Sequence, residues 1–380
     1  MSFFLTEEQK EIKKLARDFV TEEIMPVARY YDENEEFPIE VFKKMREVGF
    51  YNLAIPEKYG GPGVDKLSHA LIIEEIARGC AGIATSSESN SLASYPILIA
   101  GTEEQKKEWL GRLTFEEQQA TFSLTEPEAG SDVAGMKTTV KRSGDTYILS
   151  GEKIFITNAN YDNFYVVLAK QADSDNPRDF TALIVERDTP GLVVGKSEKK
   201  MGLKASNTGS LSFNDVVVPA KNRLGKEGKG FGIFMKGLSY GRPMVGATAV
   251  GLAQGAYESA LAYSKERKQF NRPISDFQSI QFMLADMAMN IEAARLLVHK
   301  SVRMLEEGLS STLNSSFAKC FASDTAMKVA TDAVQIFGGY GYIREYPVEK
   351  YFRDAKITQI YEGTNQIQRI VMAKEILKDK

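Results

Sequence analysis

The chain has 380 residues, of which 43% are hydrophobic and 26% charged, as in ordinary soluble globular proteins with two or three domain-sized units. The formal net charge is -3, and acidic and basic residues are mixed along the sequence without a concentrated basic stripe, which disfavours a nucleic-acid binder. No stretch reaches about 18 consecutive apolar residues, so no membrane-spanning helix is expected.

The first residues lack the basic and apolar regions of a signal peptide. Cys80 and Cys320 stand alone, without the spacing of a disulfide framework or a paired metal site. We expect two buried free thiols and a cytoplasmic location. His69 and His299 also lack a metal-ligand spacing, and we expect both to be structural residues with satisfied hydrogen bonds.

Helical patterning dominates residues 1–119, which we predict to form an N-terminal α-helical domain. The four-residue segments that begin at Thr6 and Thr102 both have the capping-box pattern of a helix start. Residues 71–77 are an apolar helix candidate, and the Gly- and Pro-rich residues 55–63 are a predicted loop.

Residues 120–226 are predicted to form a middle antiparallel β-domain, because short segments rich in β-branched and aromatic residues alternate there with turn signals. Helical periodicity returns in residues 227–380, which we predict to form a C-terminal α-helical domain. The fold class is therefore α+β, in the order helices, strands, helices, and not the alternation of a parallel α/β fold. The predicted C-terminal helices cover about 242–265, 276–306, 312–337 and 366–378.

Several common catalytic motifs are absent from the sequence. No Gly-x-Gly-x-x-Gly follows a predicted strand, which disfavours a Rossmann dinucleotide site. There is also no Gly-x-Ser-x-Gly nucleophile elbow.

Two strand segments carry residues suited to a flat heteroaromatic ring. Residues 120–132 run from an apolar strand into a turn that displays hydroxyls and backbone amides. On the strand in 151–159, simple alternation would place Phe155 and Thr157 on one face. An ordinary turn and a half-buried strand are the alternative explanations.

Three further segments lie in the C-terminal third. Residues 267–273 offer Arg267 to an anion, although a solvated basic loop explains them equally well. The glycines of 335–342 allow close approach of a ligand, while a helix C-cap accounts for Gly338 alone. Glu362 lies between an aromatic residue and a glycine, where apolar surroundings would raise its pKa and suit a general base. The alternative is a surface acid near a helix N-terminus.

The order and spacing of these segments resemble the acyl-CoA dehydrogenase family over nearly the whole chain, in particular its short- and medium-chain members. Residues 125–132 match one family signature, 335–342 with 353–356 match the other, and 361–364 match the catalytic loop. The resemblance implies a C-terminal four-helix-bundle domain, FAD as cofactor, a homotetramer built as a dimer of dimers, and electron-transfer flavoprotein as the electron acceptor.

The resemblance also implies the site residues. The flavin ring would be surrounded by Phe122, Leu124, Thr125, Phe155 and Thr157. The other cofactor contacts, some of them made to a neighbouring subunit's FAD, would come from Arg267, Gln269, Phe270, Gln335, Gly339, Thr364 and Gln366. The acyl-CoA would meet Glu88, Ser91, Ser131, Arg242, Tyr361 and Gly363.

By the same resemblance, Glu362 would remove the α-proton of a saturated acyl-CoA while the β-hydrogen leaves as hydride to flavin N5, giving a trans-2-enoyl-CoA. Some family members place the base directly before the arginine that matches Arg242. That position is Gly241 here, which leaves Glu362 as the base. Phe155 and Tyr240 depart from the residues usual at their positions and affect substrate choice more than reaction type.

The small residues of 84–91 would allow a short, medium-length or cyclic acyl chain, or they serve only helix packing. The lack of arginine there disfavours a glutaryl-CoA enzyme. Two rival functions remain: an acyl-CoA oxidase reoxidised by O₂, and a non-catalytic flavoprotein scaffold. The intact Glu362 disfavours the scaffold.

Overall fold

The computed structural model describes residues 4–174, 176, 178–309 and 312–378, and its elements follow the predicted order of helices, strands and helices. The N-terminal helices are α1 (Glu7–Phe19), α2 (Met25–Asn34), α3 (Ile39–Glu47), α4 (Lys66–Ala100) and α5 (Glu103–Thr114). A short π-helical segment, Val20–Ile24, joins α1 to α2.

The middle part of the chain forms one eight-stranded sheet. Its strands are β1 (Ala120–Ser123), β2 (Thr139–Ser143), β3 (Thr146–Thr157), β4 (Phe164–Gln171), β5 (Phe180–Glu186), β6 (Leu192–Val194), β7 (Thr208–Pro219) and β8 (Arg223–Leu224).

The C-terminal part is helical, with one small hairpin. Its elements are α6 (Gly230–Glu266), β9 (Lys268–Gln269), β10 (Arg272–Pro273), α7 (Gln278–Glu306), α8 (Thr312–Phe337), α9 (Val348–Thr358) and α10 (Asn365–Ile376). α6 begins at Gly230 rather than near residue 242, and α9 was not predicted from the sequence.

Both predicted helix starts are confirmed. The Thr6 hydroxyl accepts a hydrogen bond from Gln9 N (3.2 Å), and Gln9 Oε1 accepts one from Thr6 N (3.1 Å). Thr102 and Gln105 repeat the arrangement at α5. These reciprocal bonds satisfy backbone donors that a helix N-terminus otherwise leaves unpaired.

Helix α4 is interrupted at Cys80, whose φ of -159° and ψ of 108° are those of an extended residue. The first half of α4 packs among the helices of the main hydrophobic core, whereas the second half runs towards the sheet. There, for example, Ser89 Oγ donates to Ala120 O (3.2 Å). One helix therefore connects the helical core to the start of the sheet.

The predicted β-domain is present, but its sheet is mixed, with two parallel pairings among the antiparallel ones. β1 and β2 both pair with β4 in parallel, while β3–β7, β4–β5 and β2–β3 are antiparallel. Parallel pairing requires a connection longer than a hairpin. The segment between β1 and β4 supplies this connection. The strand-forming residues alone do not reveal which strands are neighbours in the sheet.

The strand alternation expected around Phe155 is also broken. The β3–β7 register shifts between Lys153 and Ile156, and Phe155 has a φ of 55°. Such a bulge turns side chains away from their simple alternate positions. Phe155 leaves 62% of its surface exposed.

Both cysteines are buried and free, as expected. His69 is also satisfied, because its Nε2 lies 2.9 Å from Glu88 Oε1. The expectation is wrong for His299: its Nε2 is enclosed and has no hydrogen-bond partner in the described part of the chain. Burial lowers the pKa of His299 to about 4, so the ring is neutral at pH 7. Among the described helices, none is long and apolar enough to cross a membrane.

The backbones of α4 and α6 approach each other closely at Gly251. A Cβ added there would lie 1.9 Å from Glu74 O, whereas one added at Gly232, on the exposed start of α6, would meet nothing within 4 Å. Overpacking of a tight core contact typically costs about 1–3 kcal/mol. Gly251→Ala should therefore lower the free energy of unfolding by roughly this amount.

Gly232→Ala is the matched control. It should be neutral or slightly stabilising, because alanine favours the helix without a clash. Urea unfolding of both variants measures the difference. Equal free energies of unfolding in the two variants would show that the contact between Gly251 and the backbone of Glu74 leaves room for a methyl group.

Candidate active site

A chamber of about 820 Å³ lies between the sheet and the C-terminal helices. α4, α6 and α10, the ends of β1 and β3, and the turn between α9 and α10 form its walls. Most of the predicted site residues meet there: Glu88, Phe122, Leu124, Thr125, Ser131, Phe155, Thr157, Arg242, Tyr361, Glu362, Gly363 and Thr364.

Glu362 lies on the turn between α9 and α10, and its backbone is held in a strained conformation. Its φ is 51° and that of Gly363 is 95°, both in the left-handed region. Such conformations persist only where surrounding contacts fix them. Arg242 Nε (3.3 Å) and Gln368 Nε2 (3.3 Å) both donate to Glu362 O, and Gln368 Nε2 also donates to Gly363 O (3.0 Å).

The carboxyl group of Glu362 is poised between its two protonation states. Its Oε2 is enclosed and has no hydrogen-bond partner among the described residues. Burial raises the pKa of Glu362 to about 7, against the opposing positive fields of Arg242 and Lys319 and with a smaller contribution from Glu88. A carboxyl group with this pKa can accept and release a proton near neutral pH.

Gly241 on α6 faces this carboxyl group directly. A Cβ added at Gly241 would lie 2.7 Å from Glu362 Oε2 and 2.9 Å from Leu92 Cδ1. Any larger residue would therefore displace the carboxyl group. Residue 241 and residue 362 approach the same point of the chamber from different elements.

The wall formed by α4 includes a second carboxyl group. Glu88 Oε1 lies 2.9 Å from His69 Nε2 and accepts a hydrogen bond from Ser91 Oγ (3.1 Å). Ser91 is fully buried behind Glu88 and does not itself line the chamber. Beside them, the rings of Tyr95 and Tyr240 stack with centroids 5.4 Å apart, and Tyr95 lines the chamber.

An enclosed ion pair supports the turn after β1. Lys153 Nζ donates to Glu126 Oε1 (2.8 Å) and to Leu124 O (3.0 Å), and Ile154 N donates to Thr125 O (2.9 Å). Burial lowers the pKa of Lys153 to about 8. These bonds fix the backbone of Leu124 and Thr125 against β3, at the edge of the chamber.

A second, separate cavity of about 570 Å³ collects part of the remaining predicted set, with Arg267, Gln269 and Gly339 in its lining. The guanidinium of Arg267 lies 5.3 Å from the ring centroid of Tyr340. Phe270, on the turn between β9 and β10, is 88% exposed.

Four of the predicted residues line neither cavity: Ser91, Phe270, Gln335 and Gln366. Gln335 and Gln366 are exposed on α8 and α10. Thr364 lines the chamber but also caps α10, since its hydroxyl accepts from Ile367 N (3.2 Å).

Sequence reasoning missed Lys319, Gln368 and Lys153, which hold the site together. All three lie within helices or strands, where the hydrophobic pattern of the sequence predicts secondary structure but no functional site. A lysine is almost never fully buried unless it is paired, so no sequence signal marked Lys153 or Lys319 as internal.

The chain is similar to known proteins along nearly its whole length. Residues 6–117, 121–216 and 228–377 match the N-terminal, middle and C-terminal domains of acyl-CoA dehydrogenase. The acyl-CoA dehydrogenase of Bacillus subtilis (strain 168) is 46% identical over 374 residues, which are 98% of this chain and 99% of that protein.

Solved structures give the same result. A chain from work on the electron transferring flavoprotein of Acidaminococcus fermentans and flavin-based electron bifurcation has a TM-score of 0.97 and 47% identity over 100% of both chains. Butyryl-CoA dehydrogenase from Megasphaera elsdenii has a TM-score of 0.96 and 46% identity over 100% of both chains. An acyl-CoA dehydrogenase from Bacillus anthracis, complexed with FAD, has a TM-score of 0.91 and 36% identity over 98% of this chain and 67% of that chain.

The architecture, the chamber and these matches define a class, the flavin-dependent dehydrogenases. Within it, the chain belongs to the acyl-CoA dehydrogenase family, is an enzyme of that family, and uses FAD. The chamber fits the cofactor's ring system, because Phe155 presents an exposed aromatic surface beside the hydroxyls of Thr125 and Thr157.

Glu88→Gln tests the electrostatics of the chamber. The amide can still accept the hydrogen bonds of His69 and Ser91, but it removes a negative charge that raises the pKa of Glu362. A less unfavourable field stabilises the ionised carboxylate, so the pKa of Glu362 should fall.

The measurement is the pH dependence of flavin bleaching by an acyl-CoA. Its acid limb should move to lower pH in Glu88→Gln and stay in place in Glu11→Gln, an exposed control on α1. An acid limb that moves to higher pH would contradict the assigned role of the Glu88 charge.

Proposed function

We propose that the chain oxidises a saturated acyl-CoA to a trans-2-enoyl-CoA, with Glu362 as the base that removes the α-proton. The observation that carries this proposal is the enclosed Oε2 of Glu362, without a hydrogen-bond partner among the described residues. A pKa of about 7 lets this group act near neutral pH.

The turn also offers a donor to the thioester. The backbone N–H of Glu362 donates no hydrogen bond to the described residues, and we assign it to the thioester carbonyl. Negative charge develops on that oxygen as the α-proton leaves, and losing such a donor typically costs about 2.7–4 kcal/mol. Arg242 and Gln368 keep the donor in place through Glu362 O.

FAD supplies the acceptor for the β-hydrogen when it is bound. We assign the surround of its ring to Phe122, Leu124, Thr125, Phe155 and Thr157, all in the chamber lining. We assign its phosphate and adenosine parts, through a neighbouring copy, to Arg267, Gln269, Phe270, Gln335 and Gly339, and its far end to Thr364 and Gln366. Arg267, Gln269 and Gly339 line the second cavity together, which supports their assignment to a different part of the cofactor from the ring.

The acyl-CoA itself is assigned to Ser131, Arg242, Tyr361 and Gly363 in the chamber lining, and to the wall of Glu88, with Ser91 behind it. A short, medium-length or cyclic acyl group is the proposed substrate. The similarity to butyryl-CoA dehydrogenase supports a short acyl chain. Arg242 is the only arginine among the described lining residues, so the α4 wall offers no arginine to a second carboxylate of the substrate.

Three further features of the proposal rest on the sequence and on relatives. We retain domain boundaries after residues 119 and 226, where helices give way to β1 and strands to α6. We propose electron-transfer flavoprotein as the acceptor, supported by the similar chain from the Acidaminococcus fermentans work. A cytoplasmic location is in keeping with two free cysteines.

Glu362→Gln should slow flavin bleaching by acyl-CoA by roughly 10²–10⁴-fold, because the amide cannot accept the α-proton. The variant should still bind FAD and the enoyl-CoA product. Glu345→Gln, at an exposed position before α9, is the matched control and should bleach like the wild type. The measurement is anaerobic stopped-flow absorbance with acyl-CoAs of graded length, branching and ring content.

The same assay separates the rival functions. Wild-type rates in Glu362→Gln would refute the base assignment. Release of hydrogen peroxide at the turnover rate in air would favour the oxidase, and a wild-type flavin that no acyl-CoA bleaches would favour the scaffold.

We also propose a homotetramer. Phe282, Met289 and Leu296 recur every seventh residue on α7 and are 60%, 64% and 43% exposed. An apolar stripe of this kind on a helix normally packs against another helix.

The double variant Phe282→Asp, Met289→Asp should give a smaller particle by light scattering, while Glu292→Gln on the same helix should not. An unchanged mass in the double variant would exclude this stripe as an assembly contact.

A further inference from the structure

We propose that Lys319 on α8 is a positioning residue for the base: it holds the backbone of the Glu362 turn and keeps its carboxylate available at neutral pH. The proposal rests on Glu362 being the base. Lys319 does not line the chamber, and its side chain reaches the turn from behind.

Lys319 is fully buried, and its ammonium group points at the turn. Its Nζ donates to Gly363 O and to Asn365 Oδ1, both at 2.9 Å. A buried ammonium is strongly unfavourable unless its donors are satisfied. Its partners among the described residues are thus two neutral oxygens, one on the turn and one on the first residue of α10.

Asn365, one of the two partners of Lys319, is itself held by further hydrogen bonds. Its Nδ2 donates to Ser323 Oγ (2.9 Å) and Asp324 Oδ1 (2.8 Å) on α8. Its backbone N–H donates to Gln359 O (3.0 Å), at the end of α9. These bonds tie the left-handed Gly363 to α8, and the position of Gly363 sets where the preceding carboxyl group stands.

The charge of Lys319 has a second effect. It opposes the burial that raises the pKa of Glu362, and so does Arg242 on α6. Glu88 on α4 acts in the other direction, and Tyr95 and Tyr361 also lie in the field of Glu362.

Burial lowers the pKa of Lys319 to about 8, while Glu362, Cys320 and Asp324 favour its charged form and Arg242 disfavours it. The ammonium is therefore charged at pH 7. Without that charge, the ionised form of Glu362 is less stable and the base is protonated over a wider pH range.

The test uses the FAD-loaded full chain and three variants of Lys319. Lys319→Gln keeps a donor for Gly363 O and removes the charge, Lys319→Met removes both, and Lys319→Arg keeps the charge. Lys328→Met is the control, because Lys328 lies on the same helix but is exposed and pairs with Asp332. The readouts are the acid limb of flavin bleaching and the infrared carboxyl band of Glu362, assigned by subtraction of Glu362→Gln.

In Lys319→Gln and Lys319→Met the acid limb and the infrared titration should both move to higher pH. Bleaching at pH 7 should fall about tenfold or more, since a misplaced catalytic group is costly, and Lys319→Met should also remain slower at high pH. Lys319→Arg should keep the titration near that of the wild type, and Lys328→Met should change nothing.

An unmoved titration in Lys319→Gln, whatever the loss of thermal stability, would overturn the proposal and leave Lys319 a structural residue. If Lys319→Met does not fold, Lys319→Gln and Lys319→Arg still decide it. The proposed function fails separately, through a wild-type protein that acyl-CoA does not bleach or a Glu362→Gln variant that it does.

Discussion

The structure around the chamber depends on one constraint: a carboxyl group must be enclosed and still be partly ionised near neutral pH. Burial alone raises the pKa of Glu362, and the fields of Arg242 and Lys319 limit that rise to a value of about 7. An isolated buried carboxyl group would remain protonated, and one in a direct ion pair would be too weak a base. The two cations therefore contact the backbone of the turn and not its carboxylate.

The supporting scaffold follows from that arrangement. The turn has a left-handed backbone at Glu362 and Gly363, and three helices each contribute a contact to it: Arg242 from α6, Lys319 from α8 and Gln368 from α10. On the opposite side, Lys153 plays a comparable part for the turn after β1. Lys153 and Lys319 thus each bind a carbonyl oxygen of a loop at the chamber, one from a strand and one from a helix.

Much of the fold could be predicted because the local signals are strong. The capping boxes at Thr6 and Thr102 fix two helix starts, and β-branched segments fix the strands near Phe164 and Phe180. The parallel pairing of β1 with β4 was not predictable, because it depends on long-range chain order. The bulge at Phe155 was also missed, since alternation assumes a regular strand. Glu362 emerged from a motif, whereas Lys319 gave no signal because burial of a lysine depends on partners distant in sequence.

Gly241 has a consequence for where the acid of such a site can come from. A Cβ added there would lie 2.7 Å from Glu362 Oε2, so an acidic side chain on α6 would compete for the space the present carboxyl group fills. The chamber specifies a point in space and does not specify which segment supplies the acid. An acid at this point of the chamber could therefore come from the helix as well as from the turn, where the proposed base stands.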